Sequence, residues 1–200
     1  MTDEEFYGET LSVLKDAEQT LLEMVSRYRK TTENTNMSNT VLKCQSRIKS
    51  SQSMIEKLKR KGFEPDVQAA LNEVYDAVGI RIICGFIDDV YKMAEWISKQ
   101  PEIEIIGKKD YIAYPKPNGY RSFHLRVEIR AGFSAGVFAE IQIRTMAIDF
   151  WATLEHELKY KKEIQHENTI RRELKRCADE IAATDLCMQT IRDMMEYSNE

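Results

Sequence analysis

No close pair of cysteines occurs in this sequence. Cys44, Cys84, Cys177 and Cys187 stand far apart, with no C-x-x-C spacing. That excludes a zinc-finger framework and predicts reduced thiols in a cytoplasmic protein. No apolar run is long enough to cross a bilayer, and the acidic start of the chain carries no basic-then-apolar leader. Neither membrane nor export is expected. Positive charge is not in excess: the formal net charge is −4, which argues against a protein built for duplex DNA. The glycine-rich phosphate loops are missing too. With no G-x-x-x-x-G-K-[ST] and no G-x-G-x-x-G, the Walker and Rossmann routes to nucleotide binding are closed. Proline is scarce, and two of the four prolines fall in Pro115-Lys116-Pro117-Asn118-Gly119, which is therefore a loop.

What remains is a chain of 200 residues, 42% hydrophobic and 31% charged, which suits one globular domain with a real core. Residues 4–30 repeat Leu11, Leu14, Ala17, Leu21, Met24, Val25 and Tyr28 at helical spacing. Residues 31–40, rich in Thr, Asn and Ser, read as a loop. Residues 41–48 read as a short strand with Lys43, Gln45 and Arg47 on one side. A helix follows, with Ser53-x-x-Glu56 as its capping box and Gly62 as its end. Residues 64–75, opened by Pro65, predict another helix. Val78 to Cys84 is nearly all apolar and β-branched, the pattern of a buried strand, with Arg81 inserted in it. Asp88 is placed to cap the next helix. Strands are expected over 103–112, with a bulge at Gly107, over 120–130 and over 137–145. A helix from Met146 to about Lys161 and a long amphipathic helix to about Tyr197 close the chain. Along the first of these, Phe150, Leu154 and Leu158 are expected to face the interior. This order predicts an α+β fold, a mixed sheet with flanking helices.

Four clusters carry chemistry. Lys43, Arg47, Lys49, Lys57, Lys59, Arg60 and Lys61 form a basic island with Glu56 as its only acid, which suits a local anionic ligand. Of these, Lys49, Lys57 and Arg60 lie on or beside a helix start, where phosphate oxygens are favoured. Asp76 and Arg81 flank and interrupt the buried strand. They form either a simple ion pair or a Mg²⁺ ligand beside a phosphate- or base-binding guanidinium. Tyr120, Ser122 and His124 share one strand face next to Gly119, with Arg121 and Phe123 opposite; Tyr120 is placed to stack on a base. Glu140, Gln142 and Arg144 line one face of the last strand, with Ile141 and Ile143 on the other. Asp149 and His156 lie on one face of the helix that Thr145 caps. Two carboxylates, Asp76 and Glu140, converging over a sheet would suit a Mg²⁺–triphosphate.

In order along the chain stand Arg47-Ile48-Lys49, Ser53-x-x-Glu56-Lys57, Asp76-x-x-Gly79-Ile80-Arg81, Lys109-Asp110-Tyr111-Ile112, Lys116 to His124 and Glu140 to Thr145. This ordered set resembles the synthetase domain of the RelA/SpoT family in its small, stand-alone form, over roughly residues 41–161. The resemblance implies a nucleotidyltransferase-like five-stranded sheet. Residues 1–40 and 162–200 would then be helical extensions of a 41–161 catalytic core. It implies transfer of the β,γ-pyrophosphate of ATP to the 3′-hydroxyl of GDP or GTP, with Mg²⁺. Arg47 and Arg81 would sandwich adenine, while Lys49, Lys57 and Arg60 would hold the ATP phosphates. Asp76 would bind the metal, and Glu140 would share it or activate the hydroxyl. Tyr120 would stack on guanine. Lys109, Lys116, Arg121 and His124 would contact phosphates, and Gln142 and Arg144 would line the site. Asp149 departs from the Asn that many relatives place against the guanine edge; a carboxylate still accepts from guanine N1–H and N2–H₂. A homotetramer is implied as well. With no paired His-Asp hydrolase motif upstream, synthesis without degradation is expected. Two competing readings are a same-fold enzyme acting on adenosine nucleotides or tRNA 3′ ends, and a catalytically silent nucleotide-binding regulator.

Overall fold

A computed structural model describes residues 1–33, 40–160 and 167–197. Most of the expected 31–40 loop and the junction between the last two helices lie outside the described residues. Five strands form one sheet: β1 (Val41–Ile48), β2 (Val78–Cys84), β3 (Ile103–Asp110), β4 (Phe123–Ile129) and β5 (Phe138–Thr145). Their spatial order is β1-β2-β5-β4-β3, with β2 and β5 parallel and every other pair antiparallel. The expected mixed sheet is thus observed. The bulge on β3 falls between Ile105 and Gly107.

Strand alternation gives the sheet two unlike faces. On one, Val78, Ile80, Ile82, Leu125, Val127, Ala139, Ile141 and Ile143 are buried beneath α2 (Thr10–Glu33) and α5 (Ile87–Ile97). Leu14, Ala17, Leu21, Met24 and Val25 of α2 supply the opposing stripe, as their spacing predicts. The other face carries Gln45 and Arg47 of β1, Arg81 of β2, Glu140 and Gln142 of β5, His124 and Arg126 of β4, and Lys109 of β3. It is bordered by α3 (Ser51–Lys61) and by the start of α6 (Met146–Tyr160). Among the described residues no helix is long and apolar enough to cross a membrane.

Several expectations need correction. The first helix is two: Gly8, at φ +53°, separates α1 (Asp3–Tyr7) from α2. The cap of α3 is Ser50, whose hydroxyl accepts from the Ser53 amide, not Ser53 itself. α4 spans only Val67–Asn72 and is capped by Asp66, since the Asp66 carboxylate reaches the Ala69 amide. At α5 the capping carboxylate is that of Asp89, on the Phe86 amide, while Asp88 pairs with Lys92 and Arg192. β4 begins at Phe123 rather than 120, because residues 120–122 serve the preceding loop.

The largest correction concerns α6. Phe150, Leu154 and Leu158 are exposed. The buried side is Ile148, Trp151, Ala152 and Glu155, which packs on α7 (Glu167–Tyr197). α6 has two apolar stripes, and periodicity alone does not say which one this chain covers.

Candidate active site

Strand register brings the site together. On the polar face, Gln45, Arg81, Gln142, His124 and Lys109 form one transverse row across all five strands. Beside it runs a second row of Arg47, Gly79, Glu140 and Arg126. Gly79 leaves a gap in that row, with the Arg47 side chain over it: a Cβ added there would lie 3.5 Å from Arg47 Cγ. A cavity of about 220 Å³ opens here, lined among others by Arg47, Asp76, Gly79, Arg81, Glu140 and Gln142. The two acids expected to meet, one just before β2 and one on β5, therefore face the same space.

Asp76 is held by two cations. Lys57 Nζ of α3 lies 2.7 Å from Oδ1 and Lys49 Nζ 3.1 Å from Oδ2. Burial works against ionisation of Asp76, but the hydrogen bond from Lys57 and both nearby ammonium charges hold its pKa below the ordinary value. Lys49 is fixed in turn: its amide bonds the Ala77 carbonyl, and its own carbonyl accepts from Tyr7 Oη at 2.6 Å. Arg60, one helical turn beyond Lys57, is exposed.

Glu140 sits at the end of two hydrogen-bonded lines that both start at Arg144. Along β5, Arg144 donates to Gln142 Oε1 (2.8 Å), and Gln142 Nε2 donates to Glu140 Oε2 (2.9 Å). Across β4, Arg144 donates to Tyr120 Oη (2.7 Å), which lies 2.9 Å from His124 Nε2; His124 Nδ1 is 3.4 Å from Glu140 Oε1. An ionised carboxylate only accepts, so His124 Nδ1 carries the proton there. Burial raises the Glu140 pKa, but the hydrogen bond and the charge of His124, the hydrogen bond from Gln142 and the charge of Lys57 override it and bring the group down to about 2.

Tyr120 is half-buried, with Lys116 Nζ 4.9 Å and Arg144 Cζ 5.3 Å from its ring centroid. Asp149 bridges the two halves of the site, 3.4 Å from Arg81 and 3.1 Å from Arg144. Burial, and the neighbouring Arg144 and Arg47, lower the Arg81 pKa; Asp149 supplies the opposing charge. Lys109 is exposed at the outer end of its row. Arg121 is not brought to the cavity: it reaches away, to the Asp179 carboxylate of α7. His156 is exposed.

Four contributors had no assigned role in the sequence reading. Gly79 makes the gap, and a glycine inside a β-branched strand is a signal for such a place. Gln45 lines the cavity from β1. Asn118 donates to buried Glu155 at 3.0 Å and fixes the loop that carries Lys116. No local pattern marks an acid such as Glu155 as buried.

Cations and ionised carboxylates around one cavity, beside an aromatic ring fixed by hydrogen bonds, define a protein that handles a polyphosphate attached to a base. The comparisons agree. A family described as "Region found in RelA / SpoT proteins" matches residues 46–165. GTP pyrophosphokinase YwaC of Bacillus subtilis (strain 168) is 42% identical over 144 residues, 70% of this chain and 69% of the relative. GTP pyrophosphokinase YjbM of the same organism is 35% identical over 149 residues, 73% and 69% of the two chains. The crystal structure of small alarmone synthetase 1 from Bacillus subtilis bound to its product pppGpp aligns with a TM-score of 0.83. Its identity is 30%, over 92% of this chain and 95% of that one. The chain belongs to the RelA/SpoT family.

Proposed function

We propose that this protein is a GTP pyrophosphokinase that moves the β,γ-pyrophosphate of ATP to the 3′-hydroxyl of GDP or GTP, forming (p)ppGpp and AMP in the cytoplasm. The observation that carries this reading is the shared cavity of Asp76 and Glu140, with Lys49 and Lys57 paired to the first acid and Tyr120 linked through His124 to the second. Relatives named for that activity support it.

Arg47 and Arg81 border the donor base, and Lys49, Lys57 and Arg60 meet the triphosphate. Tyr120 supports the guanine ring, with Asp149 at its edge; Lys109, Lys116 and His124 flank the acceptor phosphates. Such a transfer asks the protein for position and charge neutralisation above all. Asp76 and Glu140 fit a Mg²⁺ ion: both are oxygen donors, both are held ionised, and each carboxylate has lone pairs beyond those its present partners use. Bound there, Mg²⁺ supplies charge neutralisation for the transferring phosphates. Glu140 orients the 3′-hydroxyl and accepts a hydrogen bond from it; with a pKa of about 2 it is a weak base, so its charge matters more than its proton affinity.

Incubation with Mg²⁺, ATP and GDP or GTP is expected to yield a 3′-pyrophosphorylated guanosine nucleotide and AMP, resolved by anion-exchange chromatography. ADP as the second product would reject the reaction type. Product formed only on an adenosine nucleotide or tRNA would reject the acceptor, and no product at all would favour the silent regulator. Tyr120→Ala is expected to raise the acceptor KM by the worth of one stacked base, about 1–3 kcal/mol, and Tyr120→Phe to raise it far less. An unchanged acceptor KM in the alanine variant counts against the stacking role.

The exposed Phe150, Leu154 and Leu158 form one stripe on α6, and Leu186, Met188, Ile191, Met194 and Met195 are exposed along α7. Such surface supports the proposed homotetramer, because it would be covered by further copies of the chain. Light scattering is the check, and a monomer mass at micromolar concentration would reject the assembly.

A further inference from the structure

We propose that α7 positions the acceptor platform, with Arg121 as the strut between them, so that Arg121 acts through Tyr120 and not on phosphate. This rests on the reading of Tyr120 as the surface that carries the acceptor base.

Three contacts join the loop to the helix. Arg121 Nη1 donates to two backbone carbonyls, Gly119 at 3.1 Å in the loop and Ala178 at 3.2 Å in α7. Its Nη2 pairs with the Asp179 carboxylate at 3.1 Å. A planar guanidinium fork spreads its donors to reach two carbonyls and a carboxylate at once, where a lysine ammonium gathers its three at one point. The Arg121 side chain is 15% exposed, so little of it is left for a ligand. Gly119 is pressed against the same helix: at φ +90°, a Cβ there would lie 2.6 Å from Ala178 Cβ. The Tyr120 ring, next in sequence, packs into a small cluster of Trp151, Ala152 and Ala178 that is separate from the main core.

The helix is a firm base. Trp151 Nε1 donates to the Leu174 carbonyl at 2.9 Å, Thr145 bonds buried Asp185, and Arg192 pairs with Asp88 at 2.9 Å while lying over the Phe86 ring. α7 is therefore tied to α6, to the end of β5 and to the start of α5. The loop carrying Tyr120 hangs from a helix that lies beyond the matched 46–165 region.

A phosphate ligand and a strut respond differently to substitution. For a strut, Arg121→Ala lowers kcat/KM by the same factor for every guanosine acceptor that the wild type uses, GMP, GDP or GTP. The loss sits in the acceptor KM and leaves the ATP KM unchanged. A shift of the ring by an ångström is expected to cost on the order of tenfold to a hundredfold. Arg121→Lys keeps the charge but loses the fork, and is expected to be as impaired as Arg121→Ala. Ala178→Leu, which wedges the loop off the helix while leaving the Arg121 side chain itself unchanged, is expected to reproduce the same acceptor-only defect, and Ala178→Ser to keep near-normal kinetics. Glu180→Ala, on the exposed side of α7 beside Arg176, is expected to change nothing. A loss that grows with the number of acceptor phosphates, or rescue by lysine, overturns the strut, as does a normal acceptor KM in Ala178→Leu. Wild-type turnover in the same assay separates these outcomes from failure of the proposed activity itself.

Discussion

Glu140→Gln is expected to cut turnover by about a thousandfold or more while the protein stays folded, because it removes the one charge at the meeting point of both hydrogen-bonded lines. The substitution is nearly isosteric, and the Glu140 side chain is 17% exposed, so little packing changes. What is lost is an anion where the hydroxyl and the metal are proposed to meet. A pH signature accompanies it. The folded-state pKa of Glu140 is depressed from 4.5 to about 2, so its stabilising contribution is present above about 4.5 and disappears as pH falls towards 2. The glutamine variant has no such dependence. The Tm difference between wild type and variant should therefore shrink over that window in calorimetry. In the rate–pH profile, Glu140 should impose no acid limb above about pH 4, since it is ionised throughout that range. Near-normal turnover in Glu140→Gln would reject the role, and an acid limb near neutrality that vanishes in the variant would reject the charge-first account.

How much of this was legible in the residues depends on period. Along β5 the alternation of Glu140, Gln142 and Arg144 against Ile141 and Ile143 has a period of two, and one face is apolar. Only one register buries the isoleucines, so the polar set had to share a face. That Asp76 and Glu140 would meet was not fixed by any local pattern. It follows from the parallel pairing of β2 with β5, a long-range contact; the resemblance implies only that the two acids serve one metal. On α6 periodicity is ambiguous for a definite reason. Phe150-Leu154-Leu158 and Ile148-Trp151-Ala152 are both credible apolar stripes, and α7, not propensity, decides between them. Glu155 and Asp185 were invisible as buried groups because an acid reads as surface; each is accommodated by a specific partner, Asn118 or Thr145. The caps were misplaced by one to three residues where Ser50, Ser51 and Ser53, or Asp88 and Asp89, offer several chemically equivalent candidates within one turn.

Asp76→Asn is expected to lower kcat by on the order of a hundredfold to a thousandfold, and to do so without raising the ATP KM. The reason lies in its neighbours. Lys49 and Lys57 now share their charge with the Asp76 carboxylate, at 3.1 and 2.7 Å. Asparagine keeps the size and one carbonyl acceptor but leaves two ammonium groups without the carboxylate that now pairs with both. Their attraction then goes undivided to the triphosphate, so donor binding holds or tightens while chemistry fails. The fold is expected to survive, because all three side chains keep some contact with water and that moderates the cost of unpairing them. A simple charge-pair role for Asp76 predicts something else: a small loss of Tm and little change in kcat. The metal-ligand role adds a titration test, for the variant should need more Mg²⁺ to reach half its maximal rate, and the weakened rate should climb as Mg²⁺ is raised. Equal Mg²⁺ midpoints for the two proteins, or an ATP KM raised in step with the loss of kcat, would mean that Asp76 only holds its two lysines apart.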